Sequence, residues 1–357
     1  MSKRLQNIFQ LCTVTAALLF LTGCETLSYY YQAVEGHLSI LNQREAIEDL
    51  VESDIDEKTK SKLQVVLTAR EFASAEMHLP VAKNYAHYVD LERDFVVWNV
   101  VAAPEFSIKP KSWCYPVVGC LSYRGYYSKS AAEAYAETLR QQSLDVYTGG
   151  VAAYSTLGWF NDPVLNTFLR REDASLASLI FHEMAHQLLY FKDDTTFNES
   201  FATTVELEGL KRWMKKYGDS NDLKKRENYL QHKTEFLQML LTIRSELDTI
   251  YSADQTDTEK RKAKAEFLQS IESKYDALAK DWDNPKLFSG WFKHPINNAR
   301  LSTVATYHDQ VKPLQALLAK HNHDLPKFYK ICQDMEHFTV EERRKHLKSL
   351  LRDTKSP

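Results

Sequence analysis

The sequence predicts a mainly α-helical fold with a small β-sheet, an α+β architecture into which a long helical hairpin is inserted. Two observations carry most of that prediction. Apolar residues recur at helical spacing through most of the chain, and only two runs, 94–102 and 145–154, read as strands. Hydrophobic residues make up 44% of the 357 residues, which excludes general disorder and allows a sizeable core. No internal repeat and no low-complexity linker divides the chain, so it reads as one domain. A formal charge of −3 gives no electrostatic case for a nucleic-acid partner.

The elements follow in order. Lys3 and Arg4 open a short basic region, and residues 8–22 are largely apolar but too short for a comfortable membrane span. Leu21-Thr22-Gly23-Cys24 resembles a bacterial lipobox. That resemblance implies a signal peptide over 1–23, lipidation of Cys24, and a lipid-anchored protein of the bacterial cell envelope facing the periplasm. An ordinary secretory signal is the alternative. Each buried methylene of an acyl chain contributes about 0.8 kcal/mol, so two or three chains would anchor firmly. Glu25 stands where an Asp commonly retains lipoproteins in the inner membrane, which favours the outer one.

Residues 29–93 read as mostly helical, from the spacing of Leu38, Leu41, Ile47, Leu50 and then Leu63, Val66, Phe72. The run 94–102 is the best strand. A loop-rich stretch, 104–128, holds four tyrosines together with Cys114 and Cys120, which an oxidising periplasm would allow to form a disulfide; two free thiols are the alternative. Cys332 is left over, and no zinc site is read into the cysteines. The run 145–154 is a second strand carrying Gly149-Gly150, either as an open edge or as a bulge. Residues 173–190 lack Gly and Pro and read as one helix, with Asp173 as N-cap. Lys192-Asp193-Asp194 reads as a turn, and 198–217 as a second helix stopped by Gly218. Residues 221–283 read as two charged helices with facing stripes, Leu237, Leu240, Leu247 and Tyr251 against Phe267, Ile271, Tyr275 and Trp282. A hairpin packed on the body and a partner-binding coiled coil both remain open for it. The last 60 residues read as helical, with a charged tail over Glu341–Lys355.

The chemistry concentrates at His182-Glu183-Met184-Ala185-His186. A helix puts i and i+4 on one face, so His182 and His186 can present two imidazoles to one metal ion. HExxH is the zinc metallopeptidase pattern, with Glu183 as the general base. Glu199, on the next helix, offers a third ligand. Two His and one Glu with an open position describe a catalytic rather than a structural zinc site. Partly buried histidines paired with acids are the bland alternative. Zinc is the expected cofactor for this donor set, although other divalent metals can occupy such a site. Asn198 is expected to support the loop, and Glu206 to orient an imidazole.

The words around these ligands, His182–Gln187 followed by Phe197–Ala202, resemble the gluzincin signature of the aminopeptidase N type, HELAHQ…NEGFA. The twelve residues between His186 and Glu199 are fewer than in those enzymes. More of the chain resembles a bacterial lipoprotein family named for aminopeptidase activity. That resemblance rests on Trp98–Ala103, Cys114–Cys120, Tyr123–Tyr127, Tyr154–Phe160 and Asn297–Leu301, and it covers most of the mature chain. Together these resemblances imply a zincin-like catalytic core over 24–357, with 221–283 as an insertion, acting on peptide substrates.

By the same resemblance, a short sheet lies beside the first zinc helix. Gly149, Gly150, Tyr154 and Ser155 then become candidate substrate-binding positions on its edge. Gluzincins place a Tyr or Arg on the oxyanion, and Tyr307 and Arg300 are the first candidates here. Tyr154, and Tyr123 with Arg124, are the second set. Aminopeptidases also need an acid for the substrate α-ammonium. Gly149–Phe160 contains none, which leaves Asp162, Asp145 or Glu105 and keeps a short-peptide endopeptidase in view. A non-catalytic envelope lipoprotein on a zincin scaffold is the other class, but a binding module has no need for Glu183. Protein partners are not legible.

Overall fold

The computed structural model describes residues 28–115, 119–153, 161–218, 220–304 and 310–353. Helix α1 covers 28–42. Strand β1 (Glu45–Ala46) leads into α2 (Ile47–Glu52) and α3 (Glu57–Ala75), where the Asp56 side chain caps α3 by accepting from the Thr59 amide at 2.9 Å. The helical reading of 29–93 fails after α3. Residues 76–93 contain strand β2 (His87–Val89) and irregular chain. Pro80 and the positive φ angles of His78, Ala82, Tyr85 and Glu92 break the helix there. The apolar spacing served burial instead: Met77, Leu79, Tyr85 and Val89 all sit in the main core.

The β component is three small sheets. The largest strands are β3 (Val97–Pro104) and β7 (Leu144–Val151); β4 (Trp113–Tyr115), β5 (Gly119–Leu121), β6 (Arg124–Tyr126) and helix α4 (Lys129–Arg140) lie between them, and β8 (Val164–Leu165) follows. One sheet has the order β1-β2-β8 and another the order β6-β3-β7, while β4 and β5 form a hairpin. Cys114 and Cys120 are joined by a disulfide across that hairpin. Among the described residues, strand β7 pairs with β3 alone and is an edge there. Its register runs unbroken from Val97↔Val151 to Pro104↔Leu144, so Gly149-Gly150 is not a bulge.

The short helix α5 (Asn166–Leu169) precedes the central pair, α6 (Asp173–Leu188) and α7 (Thr195–Tyr217). Helix α6 begins one residue earlier than the Asp173 cap would allow. Asp173 is its first residue and pairs with Lys62 at 2.6 Å, while Glu172 takes the cap position. Helix α7 likewise starts before Asn198, because the Asp194 side chain accepts from the Phe197 amide. Phe72 of α3, Phe181 of α6 and Trp213 of α7 pack with ring centroids 5.4–6.0 Å apart. Gly209 permits this approach, since a Cβ there would collide with Met77 and with the Phe181 ring 2.8 Å away.

The hairpin consists of α8 (Ser220–Ser252), then α9 (Asp257–Gln269) and α10 (Ile271–Ala279). Its returning arm is thus two helices rather than one, broken at Ser270. It packs on the body through a second core, in which Phe236, Leu240, Leu247, Ile271, Tyr275 and Trp282 meet Leu301 and Phe106. Helices α11 (Asn298–Ser302), α12 (Val311–Lys320), α13 (Leu325–Gln333) and α14 (Val340–Asp353) close the chain. Helix α14 is no solvated tail. Leu347 is fully buried in the main core, and Arg343 is 4% exposed. Among the described residues, no helix is long and apolar enough to cross a membrane.

Candidate metal centre and active site

Helix α6 carries His182, Glu183 and His186, and the antiparallel α7 returns Glu199 to them. Their connection is held by Asn198, whose side chain accepts from the Phe191 amide at 2.8 Å and donates to the Phe191 carbonyl at 2.7 Å. Asp194 braces the same turn. It caps α7 with one oxygen and accepts from Arg343 Nε at 2.7 Å with the other.

The three side chains converge. His182 Nε2 lies 3.4 Å and His186 Nε2 3.7 Å from the Glu199 carboxylate oxygens. All three ligand atoms lie within 4.8 Å of one another, a group that could hold a metal ion. The fit can be tested by geometry. Zinc–nitrogen bonds of about 2.0–2.1 Å in a tetrahedral site set ligand atoms roughly 3.3 Å apart. The two N–O separations are close to that edge, and both imidazoles turn Nε2 toward the Glu199 carboxylate, His182 to one oxygen and His186 to the other. The His₂Glu group therefore fits a small divalent cation.

A second layer orients the first. His182 Nδ1 lies 3.0 Å from Glu206, and Ser178 Oγ donates to the other Glu206 oxygen at 2.6 Å. Ser178, His182 and Glu206 are spaced so that one helical face of α6 meets one of α7. Burial opposes the charge on Glu206, but the hydrogen bonds with His182 and Ser178 and the nearby Lys233 outweigh it and keep the carboxyl below its usual value. Burial also opposes a charged His182, yet Glu199 and Glu206 raise it to about 10. His186, 5% exposed and beside His182, is lowered to about 4, mainly by burial. Burial pushes the Glu183 carboxyl up to about 7. A bound cation would stand against these values by favouring neutral imidazoles and an ionised Glu199.

Glu183 lines a cavity of about 850 Å³ together with His182, Glu199 and Glu206. Its described walls come from Arg171 just ahead of α6 and from α6, α7, α8 and α12, and no residue of β7 is among them. Gly149 and Gly150 are on the β7 edge, where a Cβ would meet the Tyr147 and Phe95 rings respectively. Tyr154, Ser155, Tyr307 and Cys24 lie outside the described residues.

Arg300 is buried on α11. It donates to the His294 carbonyl at 2.6 Å and stacks 4.4 Å over Trp291. Arg124 stacks 4.1 Å over Tyr29 and 4.6 Å over Tyr135. Tyr123 is within electrostatic range of the centre: burial first, then the Glu199 charge, raise its phenol. Of the three acids considered for an α-ammonium, Asp145 pairs with Lys264 at 2.7 Å and Glu105 with Arg261 at 2.6 Å. Asp162 alone of the three acts on Glu183. Sequence reasoning missed Tyr85, Ser178 and Arg343. Tyr85 is buried, and its phenol is held well above the usual value by burial and then by Glu183 and Asp162. Ser178 carried a legible signal in its one-turn spacing from His182. Tyr85 and Arg343 carried none.

Fold and site together define a predominantly helical protein with a His₂Glu group that could hold a metal ion, beside a cavity that His182 and Glu199 line. Residues 28–347 match the family described as "Putative aminopeptidase", and the chain belongs to that family. No curated protein and no solved structure matches it.

Proposed function

We propose that this chain is a zinc-dependent peptidase of aminopeptidase type with a zincin-like core, tethered to the bacterial cell envelope by a lipid at Cys24. The observation that carries the reading is the convergence of His182, His186 and Glu199, with Glu183 one helical position away on the cavity wall. Membership of an aminopeptidase family supports peptide substrates. A bound zinc ion supplies Lewis acidity, lowering the pKa of water toward about 7 and polarising the scissile carbonyl. Glu183 takes a proton from the attacking water at its carboxylate and hands it to the leaving nitrogen. Glu206 and Ser178 hold the His182 ring in place. Tyr123 and Tyr307 are the donors for the oxyanion. Asp162 is the acid for the substrate α-ammonium, a charge-assisted contact contributing about 1.5–3 kcal/mol.

The experiment combines metal analysis with hydrolysis of a fluorogenic peptide library, then compares one cleaved peptide with its N-acetylated twin. About one zinc per chain and cleavage of the free amine alone are expected. Equal cleavage of both twins would replace the aminopeptidase with an endopeptidase. Absence of metal and of hydrolysis would leave a binding lipoprotein. For the anchor, Cys24→Ala should release the protein from membranes or block its processing; an unmodified mature N-terminus elsewhere would refute it.

A further inference from the structure

The cavity beside the candidate metal centre carries both charges, with Lys233 near the acids and Arg171 and Lys211 further along the α6–α7 pair. Its acids, Glu183, Glu199 and Glu206, all gather at the metal end. Its other charged lining residues are Arg171, Lys211, Lys233 and Lys312, all cations. None of the four has a carboxylate within ion-pair distance among the described residues. Lys233 is half-buried on α8 and near enough to Glu206 to depress its carboxyl, whereas the other three are exposed. Leu207, Leu210, Leu237 and Leu241 line the same cavity and give it apolar wall.

The spacing is set by the helices. Lys211 lies twelve residues beyond Glu199 on α7, and Arg171 lies eleven before His182, just ahead of α6. At about 1.5 Å per residue the basic end is roughly 16–18 Å from the ligands. An extended peptide covers that span in about five residues at ~3.4 Å each. A short peptide brings a carboxylate at its C-terminus or on an Asp or Glu side chain, and such an anion can form charge-assisted hydrogen bonds with these cations.

We infer that this cavity selects peptides carrying a carboxylate beyond the scissile bond, seated on Lys233 or on the Arg171–Lys211 end, so that the protein acts on short acidic or free-acid peptides. The inference rests on the peptidase reading of the site for its catalytic meaning. The cation wall can be tested by binding alone.

The test uses full-length protein carrying Glu183→Gln, which should not turn over, and measures calorimetric binding of three pentapeptides. One has a free C-terminal acid, one is its C-terminal amide, and one is the amide with a Glu in the last position. The free acid should bind about tenfold tighter than the plain amide. Tight binding of the Glu amide would assign the site to any carboxylate, and weak binding would assign it to the C-terminus. Adding Lys233→Gln, or Arg171→Gln with Lys211→Gln, should abolish the preference and locate the carboxylate. Lys233→Arg should keep it. In the catalytically intact protein, Lys233→Gln should raise KM for the free acid about tenfold and leave KM for the plain amide unchanged. Equal binding of all three peptides, or a preference untouched by both sets of variants, overturns the inference. A preserved binding preference without any hydrolysis by the intact protein would instead overturn the peptidase reading.

Discussion

The chain contains two helical hairpins built on opposite plans. The pair α6–α7 buries polar groups: His186, Ser178, Asn198, Ser200, Thr204 and Glu208 are all at most 9% exposed. The hairpin α8–α10 buries mostly apolar residues. The polar tips of its aromatic side chains are met nearby by Pro285, where Tyr275 donates to the carbonyl at 2.8 Å, and from α11, where Tyr251 donates to Asn298 at 2.7 Å. A buried polar group costs stability unless it is hydrogen-bonded. The first hairpin meets some of its own within itself, as at Ser178–Glu206 and Asn198–Phe191, and needs outside partners for others. It finds them in Arg343 of α14, which reaches Asp194, and in His323, which lies 2.9 Å from Glu208. The second hairpin shares an apolar core with the body through Leu301 and Phe106. The functional hairpin is thus tied to the rest of the molecule by charged side chains, while the inserted one is tied to it mainly by apolar packing and walls the cavity.

That contrast can be broken or sharpened by variants. The largest effect is expected for His182→Ala with His186→Ala, which should remove bound zinc altogether; full occupancy by metal analysis would end the ligand assignment. Glu183→Gln should keep the metal and lower turnover by about 10²–10⁴, because only the base is lost. Near-normal hydrolysis would defeat that role.

Arg343→Ala leaves Asp194 buried without its partner and should cost about 3–5 kcal/mol in chemical denaturation, with weaker zinc binding as the α6–α7 turn loosens. In the other hairpin, Leu247→Ala should cost about 2–4 kcal/mol through the cavity it opens, yet leave zinc content at wild-type level. Loss of zinc in Leu247→Ala but not in Arg343→Ala would reverse the comparison. The smallest effect is expected for Glu206→Gln, which frees the His182 ring and should weaken metal affinity about 10–100-fold. An unchanged dissociation constant would reduce Glu206 to a packing residue.

Some of this protein could be read from local order alone. The i, i+4 spacing of His182 and His186, the second helix carrying Glu199 and the facing stripes of the 221–283 hairpin are consequences of a 3.6-residue period, which acts within a few residues and leaves its mark in the chain. The helix α3 was legible for the same reason, and the strands β3 and β7 from short apolar runs of their own. Other features have no local mark. The apolar residues of 76–93 have helical spacing, yet Pro80 and four left-handed residues fold them irregularly onto the core. The residues of α14 read as a charged tail, yet Arg343 is spent on Asp194, 149 residues away in the chain. Lys233 is one lysine among many on a charged helix until α8 is laid against α6 and α7. Which charge is buried, and which faces a cavity, is set by contacts between distant segments. The period of a helix chooses its faces, and only the tertiary structure decides what each face meets.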